Sequence, residues 1–376
     1  MTRAIAVIDG EHFASVVRDA LAALPYEVVG ALRVGGTEKL RGDDDYGVPL
    51  VASLDAVEAD LVFDLSDEPV LGPRERLRLA CDALALGLPY AGADFRFDPP
   101  AFEPFGVPSI AVIGTGKRVG KTAVAAHVAR VLARDRSVVA VAMGRGGPAE
   151  PELVETPPTI DELVALSRSG RHAASDHLEL ALFAHVPTIG CRRAGGGLAG
   201  AVADSNVHAG ADLARALDPD VVVFDGSGAA IPPIATSARI LVAAPEHDLD
   251  AYLNPYRVAI SDLVVRPELR LRPRPSGELR GRRVAVFTAG PAPVEHLDAD
   301  VVHVSRSLAS RDALQRELER VDAEVYLVEL KGAAIDVVAE AAAARGAELV
   351  LAENELVAPE LDADVLHALV DEEVRV

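Results

Sequence analysis

The run from Ile110 to Thr122 narrows the possible folds more than any other part of the chain. Ser109–Ile113 is continuously apolar after its first residue and reads as a buried strand. Gly114, Gly116 and Gly120 break the run, and Lys121 opens a stretch to Ala133 with helical apolar spacing. A strand feeding a helix through a glycine-rich turn is the opening of a parallel α/β unit. The helix start holds unpaired N–H groups and the positive end of a dipole, which suits phosphate oxygens. The ending Gly120-Lys121-Thr122 fits a phosphate loop, although Thr115 stands where the usual spacing has its first glycine and Gly114 lies one residue earlier. On this reading Gly114, Thr115, Gly116, Lys117, Arg118, Val119, Gly120, Lys121 and Thr122 bind ATP. Lys121 reaches the β- and γ-phosphates, and the Thr122 hydroxyl ligates Mg²⁺. The bland alternative is an ordinary glycine-rich βα turn, which the strand before and the helix after argue against.

The basic residues support the loop. Of 37 Lys and Arg residues only Lys39, Lys117, Lys121 and Lys331 are lysines, and two of these four fall inside it. The formal charge of −21 repels nucleic acid and anionic membrane, so neither is expected as a partner, and an anionic substrate needs a local basic pocket. Half the residues are hydrophobic and Trp is absent, so the cores rest on Val, Leu, Ile and Ala, as parallel sheets between helices require. Cys81 and Cys191 make neither a disulfide framework nor a zinc site and read as buried apolar residues. Met1–Asp9 runs straight into a strand without the shape of a signal peptide, and no apolar run has the length of a membrane span. A cytoplasmic protein is expected, as a homo-oligomer, specifically a dimer.

With 376 residues the chain exceeds one ordinary domain. Three α/β segments are read: an N-terminal domain over 1–105, a nucleotide-binding domain over 106–270 and a C-terminal domain over 278–376. The fold class is α/β, a central phosphate-loop parallel sheet flanked by two smaller Rossmann-like domains. Prolines at 99, 100 and 104 exclude regular structure from the loop Phe97–Pro104, and Arg270–Gly277 reads as a linker.

Three further stretches carry chemistry. Val221–Phe224 is an apolar strand ending in Asp225-Gly226-Ser227-Gly228, so Asp225 is the expected Mg²⁺ partner of Thr122, directly or through water. Strand Ser137–Ala142 ends in Met143-Gly144-Arg145-Gly146-Gly147-Pro148, at the carboxyl end of a parallel strand where open sheets bind ligands. Arg145 between glycines can turn its fork on a phosphate, with Gly146 and Gly147 beside it. Arg192 and Arg193, next to Gly195-Gly196-Gly197, form another candidate anion nest; Asp204 and Asn206 read as a helix cap.

The loop Gly114–Thr122 resembles that of dethiobiotin synthetase, Gly-Thr-Asp-x-x-Val-Gly-Lys-Thr, with Gly116 replacing the Asp. Members of the wider class, which includes the nitrogenase iron protein, often carry a second loop lysine, a role that falls to Lys117 one position from the usual place. The full order of motifs resembles the cyclic 2,3-diphosphoglycerate synthetase family. These motifs are Gly114–Thr122, the Met143–Pro148 turn, the triple-glycine loop and Phe224–Gly228. That resemblance implies ATP-dependent closure of an intramolecular phosphoanhydride in 2,3-diphosphoglycerate. It implies a cluster of cations, drawn from Lys117, Arg118, Arg145, Arg192 and Arg193, around two phosphates forced together. Lys121, Lys117, Arg118, Arg145 and Asp225 are then the catalytic candidates, with Arg118 or Arg145 at the transition state.

The flanking segments say less. Asp9-Gly10-Glu11-His12 and Gly35–Lys39 follow strands, yet His12 reads as a surface or core histidine rather than a base. Asp64 and Asp67 read as solvated or capping, and Lys331-Gly332 sits at a ligand-prone strand end. Two alternatives stay open: another ATP-dependent ligase or kinase of the dethiobiotin synthetase-like class, and a nucleotide-switched binding protein. A dinucleotide-binding dehydrogenase is disfavoured by the Lys121-Thr122 ending of the loop.

Overall fold

The computed structural model describes residues 1–36, 39–40, 45–170, 173, 175–243, 249–274, 278–290, 292–330 and 334–371. The chain divides into two compact units: residues 1–101 with 197–201 and 245–261, and the remainder from 102 onward.

The first unit opens with β1 (Arg3–Asp9), α1 (Ala14–Ala23), β2 (Glu27–Val34), β3 (Leu50–Val51), β4 (Leu61–Asp64), α2 (Pro73–Ala85), β5 (Tyr90–Ala91) and β6 (Arg96–Phe97). Its sheet has the order β3-β2-β1-β4-β5-β6, parallel except for the last pair. From β1 the chain goes outward to β2 and later returns to β4 on the other side, a Rossmann-like arrangement.

The second unit holds β7 (Glu103–Pro104), β8 (Ser109–Gly114), α3 (Lys121–Leu132), β9 (Val138–Gly144), β10 (Glu152–Val154), α4 (Ile160–Arg168), α5 (Asp176–Ala184) and β11 (Thr188–Ala194). It continues through β12 (Asp204–Ser205), α6 (Val207–Ala216), β13 (Val221–Asp225), β14 (Ile234–Ala235) and β15 (Ala238–Val242). The short helix α7 (Asn254–Ala259) belongs to the first unit and packs on α2. The chain then supplies β16 (Leu263–Val265), β17 (Glu268–Arg274), β18 (Arg283–Phe287), β19 (Asp300–Ser305), α8 (Arg311–Leu318), β20 (Val325–Glu329), α9 (Ile335–Arg345), β21 (Glu348–Val357) and α10 (Ala363–Asp371). None of the described helices is long and apolar enough to cross a membrane.

Two sheets result. One runs β10-β11-β9-β13-β8-β15-β16, with only β10 and the side strand β12 antiparallel to β11. The other runs β17-β21-β20-β18-β19, parallel apart from β17. Every residue of β8, β9, β13 and β15 is buried, as apolar strands covered on both faces should be. Helix α3 explains how the two sheets are joined. It is buried on most of its circumference, because it packs on β8 and β13, on α5, and also on β21 and α10. One apolar core therefore runs from Val112, Val128 and Ile240 through to Phe287, Tyr326 and Leu351.

The α/β class is as expected, and several local readings are corrected. Residues 268–274, placed mostly in a linker, form strand β17 against β21. Pro273 is tolerated because β17 is an edge strand. Phe97 and Pro104 likewise belong to two-residue strands at either end of their proline-rich loop. Burial raises the thiol pKa of Cys81 to about 11 and of Cys191 to about 12, so both are inert core residues.

Candidate active site

The phosphate loop leaves the sheet at the end of β8, which is hydrogen-bonded between β13 and β15. The Thr115 amide donates to the Val242 carbonyl at 3.1 Å and fixes the exit. Gly120 precedes α3 at φ 94°, in the left-handed region where a side chain is strained, and no side chain caps the helix start. Lys121 is buried, and its Nζ donates to the Gly116 carbonyl at 2.7 Å across the loop. Gly114 makes room for that lysine, since a Cβ there would lie 2.7 Å from Lys121 Cδ.

Asp225 ends β13 beside Val112 of β8 and Ala142 of β9. The Thr122 hydroxyl donates to its Oδ2 at 3.0 Å. Its Oδ1 is buried and has no hydrogen-bond partner among the described residues. Burial is the main force that pushes the Asp225 carboxyl up to about 8; the Asp176 charge adds to it, and Lys121 and Thr122 oppose it. A buried acid with one orphaned oxygen beside a threonine hydroxyl fits a hard divalent cation, whose charge would oppose the upward shift. Asp176 and Glu179, one turn apart on α5, bring two more carboxylates close enough to act on Asp225.

The cations come from two neighbouring loops. Arg145 is exposed at the end of β9. Arg193 is half-buried: its Nη2 donates to the Ser227 carbonyl at 2.8 Å and its Nη1 to the Gly195 carbonyl at 2.9 Å. Burial, and then the neighbouring Arg145 charge, hold the Arg193 guanidinium below its usual pKa. Gly147 sits where a Cβ would meet the Cys191 carbonyl oxygen at 2.0 Å, so the two loops touch backbone to backbone. Asn206 ties them together. Its Oδ1 accepts from the Arg192 amide at 2.7 Å, and its Nδ2 donates to the carbonyls of Pro148 and Ala149 at 3.2 and 3.1 Å. It is therefore a bridge between loops, not the side-chain helix cap that its place before α6 suggested.

These groups open on one cavity of about 800 Å³, within the range of small-molecule sites. Lys117, Arg118, Lys121, Thr122 and Arg145 line it, with Asp176 and Glu179. A family model described as the P-loop domain of cyclic 2,3-diphosphoglycerate synthetase matches residues 109–268, and models of that family's N-terminal and C-terminal domains match 3–98 and 275–355. The chain belongs to the cyclic 2,3-diphosphoglycerate synthetase family. A synthetase of that name from Rubrobacter xylanophilus is 44% identical, over 97% of this chain and 96% of its own. One from Thermococcus kodakarensis is 40% identical over 93% and 94%, and one from Methanothermus fervidus 36% identical over 93% and 92%.

Of the synthetase-family residues expected from sequence, Lys117, Arg118, Lys121, Thr122 and Arg145 meet at the cavity, with Asp225 bonded to Thr122. Arg193 approaches through Ser227, a lining residue. Arg192 and Gly146 are exposed and Gly147 serves the loop packing; none of the three is a lining residue of this cavity. Asp176, Glu179, Glu329 and Asn354 also line the cavity and were missed. The acidic pair one turn apart at the start of α5 was the only available hint. In the N-terminal unit Asp64, read as solvated or capping, is buried; it accepts from Ser66 and Tyr90 and forms an ion pair with Arg76. His12 lies between Asp9, 2.9 Å from Nδ1, and Asp67, 3.3 Å from Nε2. Lys331-Gly332, and Thr37 and Glu38 of the Gly35–Lys39 run, lie outside the described residues.

Proposed function

We propose that this chain is an ATP-dependent ligase that closes the phosphoanhydride of 2,3-diphosphoglycerate, giving cyclic 2,3-diphosphoglycerate, ADP and phosphate. One observation carries the reading: a phosphate loop and the cations Lys117, Arg118 and Arg145 line a single cavity in a protein of net charge −21. Four cations gathered in one cavity of so acidic a chain suit a polyanionic ligand.

The chemistry balances in two displacements. An oxygen of one substrate phosphate attacks the γ-phosphorus of ATP, and the bond to the β–γ bridging oxygen breaks to release ADP. An oxygen of the second phosphate then attacks the first substrate phosphorus, expelling inorganic phosphate and closing the ring. Lys121 and the α3 amides hold the β- and γ-phosphates. Lys117, Arg118 and Arg145 gather the substrate phosphates and offset charge on the equatorial oxygens, and Arg193 steadies the loop beside them. Thr122 and Asp225 would hold Mg²⁺, which supplies further positive charge to the phosphate oxygens. Holding both substrate phosphates in one cavity provides the near-attack geometry that ring closure needs. Three functional domains at 1–105, 106–270 and 278–376, a cytoplasmic setting and a dimer belong to the same reading; light scattering in solution tests the dimer.

The decisive measurement follows ATP and Mg²⁺ with and without 2,3-diphosphoglycerate by ³¹P NMR. We expect substrate-dependent ADP release, a new cyclic pyrophosphate signal, and loss of both by at least about 100-fold in Lys121→Ala. ATP binding with no response to the second substrate would sink the reaction and leave another ligase or kinase of this phosphate-loop class.

A further inference from the structure

The cavity has a second wall that the reaction above does not use. It comes from the C-terminal sheet. From β18 the chain goes to β19 on one side and to β20 on the other, so the switch point of this sheet lies between β18 and β20. Open α/β sheets bind ligands beyond the carboxyl ends of their strands at such a point. There Glu329, the last residue of β20, is buried. Its Oε2 accepts from the Ala289 amide at 2.9 Å, and its Oε1 accepts from Asn354 Nδ2 at 2.5 Å. Glu329, Asn354 and Gly290 line the same cavity as Lys121 and Thr122, and Leu269, Leu271 and Pro293 add apolar surface. A Cβ placed on Gly290 would meet nothing within 4 Å, so the approach there is open.

This wall has a definite chemistry. Asn354 commits one Nδ2 hydrogen to Glu329, which fixes its amide, and its Oδ1 keeps its acceptor capacity. A carboxylate that takes two N–H donors still has lone pairs to offer. The wall thus presents acceptors and one negative charge beside apolar surface, the opposite of the cationic loops. It repels phosphate and asks for O–H or N–H donors. 2,3-Diphosphoglycerate and inorganic phosphate are rich in acceptors, and any P–O–H donor they carry sits on an anion that a carboxylate repels. Of the reactants, only the nucleoside of ATP has uncharged donors, in its ribose hydroxyls and its 6-amino group, together with a flat apolar ring. We infer that Glu329 and Asn354 form the nucleoside subsite, accepting hydrogen bonds from the ribose hydroxyls or the 6-amino group of ATP, while Leu269, Leu271 and Pro293 cover the base. The inference rests on the proposed use of ATP, and it gives the C-terminal segment a direct part in choosing the nucleotide.

The test measures binding, by calorimetry with Mg²⁺ and no second substrate, so it stands apart from the ring-closing reaction. ATP, 2′-deoxy-ATP, 3′-deoxy-ATP and ITP are titrated into the wild type, Glu329→Gln and Asn354→Ala, each first shown to melt cooperatively. Two variants are used so that misfolding of one leaves the other. The dissociation constant for ATP should rise about tenfold or more in each folded variant. The wild-type preference for ATP over at least one analogue should collapse, and the analogue concerned tells ribose from base. Unchanged ATP affinity overturns the inference, and so does weakened binding with every preference intact. If the subsite result holds but no cyclic product forms, the nucleoside site survives and the proposed reaction does not.

Discussion

At the scale of single residues, glycines decide how close the loop can come to its ligand. Gly120 combines φ 94° with two close neighbours, since a Cβ there would lie 3.2 Å from both Leu269 Cδ1 and Pro267 Cγ. Gly120→Ala should cost about 1–2 kcal/mol from the left-handed backbone alone. We expect a lower melting temperature and weaker ATP binding together; an alanine variant that binds ATP normally would show that the loop does not use this conformation. Sequence spacing located the loop because phosphate chemistry depends on residues close together in the chain. It missed Glu329 and Asn354 because a lone acid at a strand end and a lone amide in a strand have no periodicity to reveal them. Only the pairing of β20 with β21 brings them side by side.

At the scale of elements, Asp336 shows how helices are fastened. It is buried on α9, accepts from Ser167 of α4 at 2.7 Å, and is held by both terminal nitrogens of Arg311 on α8. Burial pushes its carboxyl up, but the hydrogen bonds from Arg311 and Ser167 outweigh it and leave the pKa lowered. A lowered folded pKa means that the stabilisation is complete above the unfolded value and is lost as pH falls through the folded one. Asp336→Asn should therefore destabilise by about 1 kcal/mol near neutral pH, at the low end because Arg311 is half-exposed. The gap from wild type should shrink below about pH 4. Chemical denaturation of both proteins at pH 7 and pH 3.5 checks this, and a gap that grows in acid would reverse the assignment. Apolar runs made β8, β9, β13 and β20 readable. Strand β17 was hidden because alternating arginines and a proline look like a linker until β21 lies beside them.

At the scale of the molecule, covalent order and packing divide the chain differently. The phosphate-loop sheet and the C-terminal sheet share one apolar core through α3. A chain ending at Arg274 would lose Phe287, Tyr326, Leu351 and Leu366 from that core, and exposed apolar surface on this scale promotes aggregation. We expect such a truncation to be insoluble or to bind a hydrophobic dye strongly. A soluble, cooperatively melting fragment would refute the shared core. No sequence pattern marks this arrangement, because His127 and Arg130 of α3, which meet the Leu361 carbonyl and Glu353, would look the same on a face turned to water.

The Asn206 bridge has a consequence for inheritance and for engineering. One amide is shared by the Arg145 loop and the Arg192 loop through three hydrogen bonds. The two loops thus behave as a single exchangeable cassette although 40-odd residues of chain separate them. A transplant of either loop into a relative must carry the other loop and Asn206 with it. Selection that retunes one loop for a new phosphorylated acid meets the same constraint.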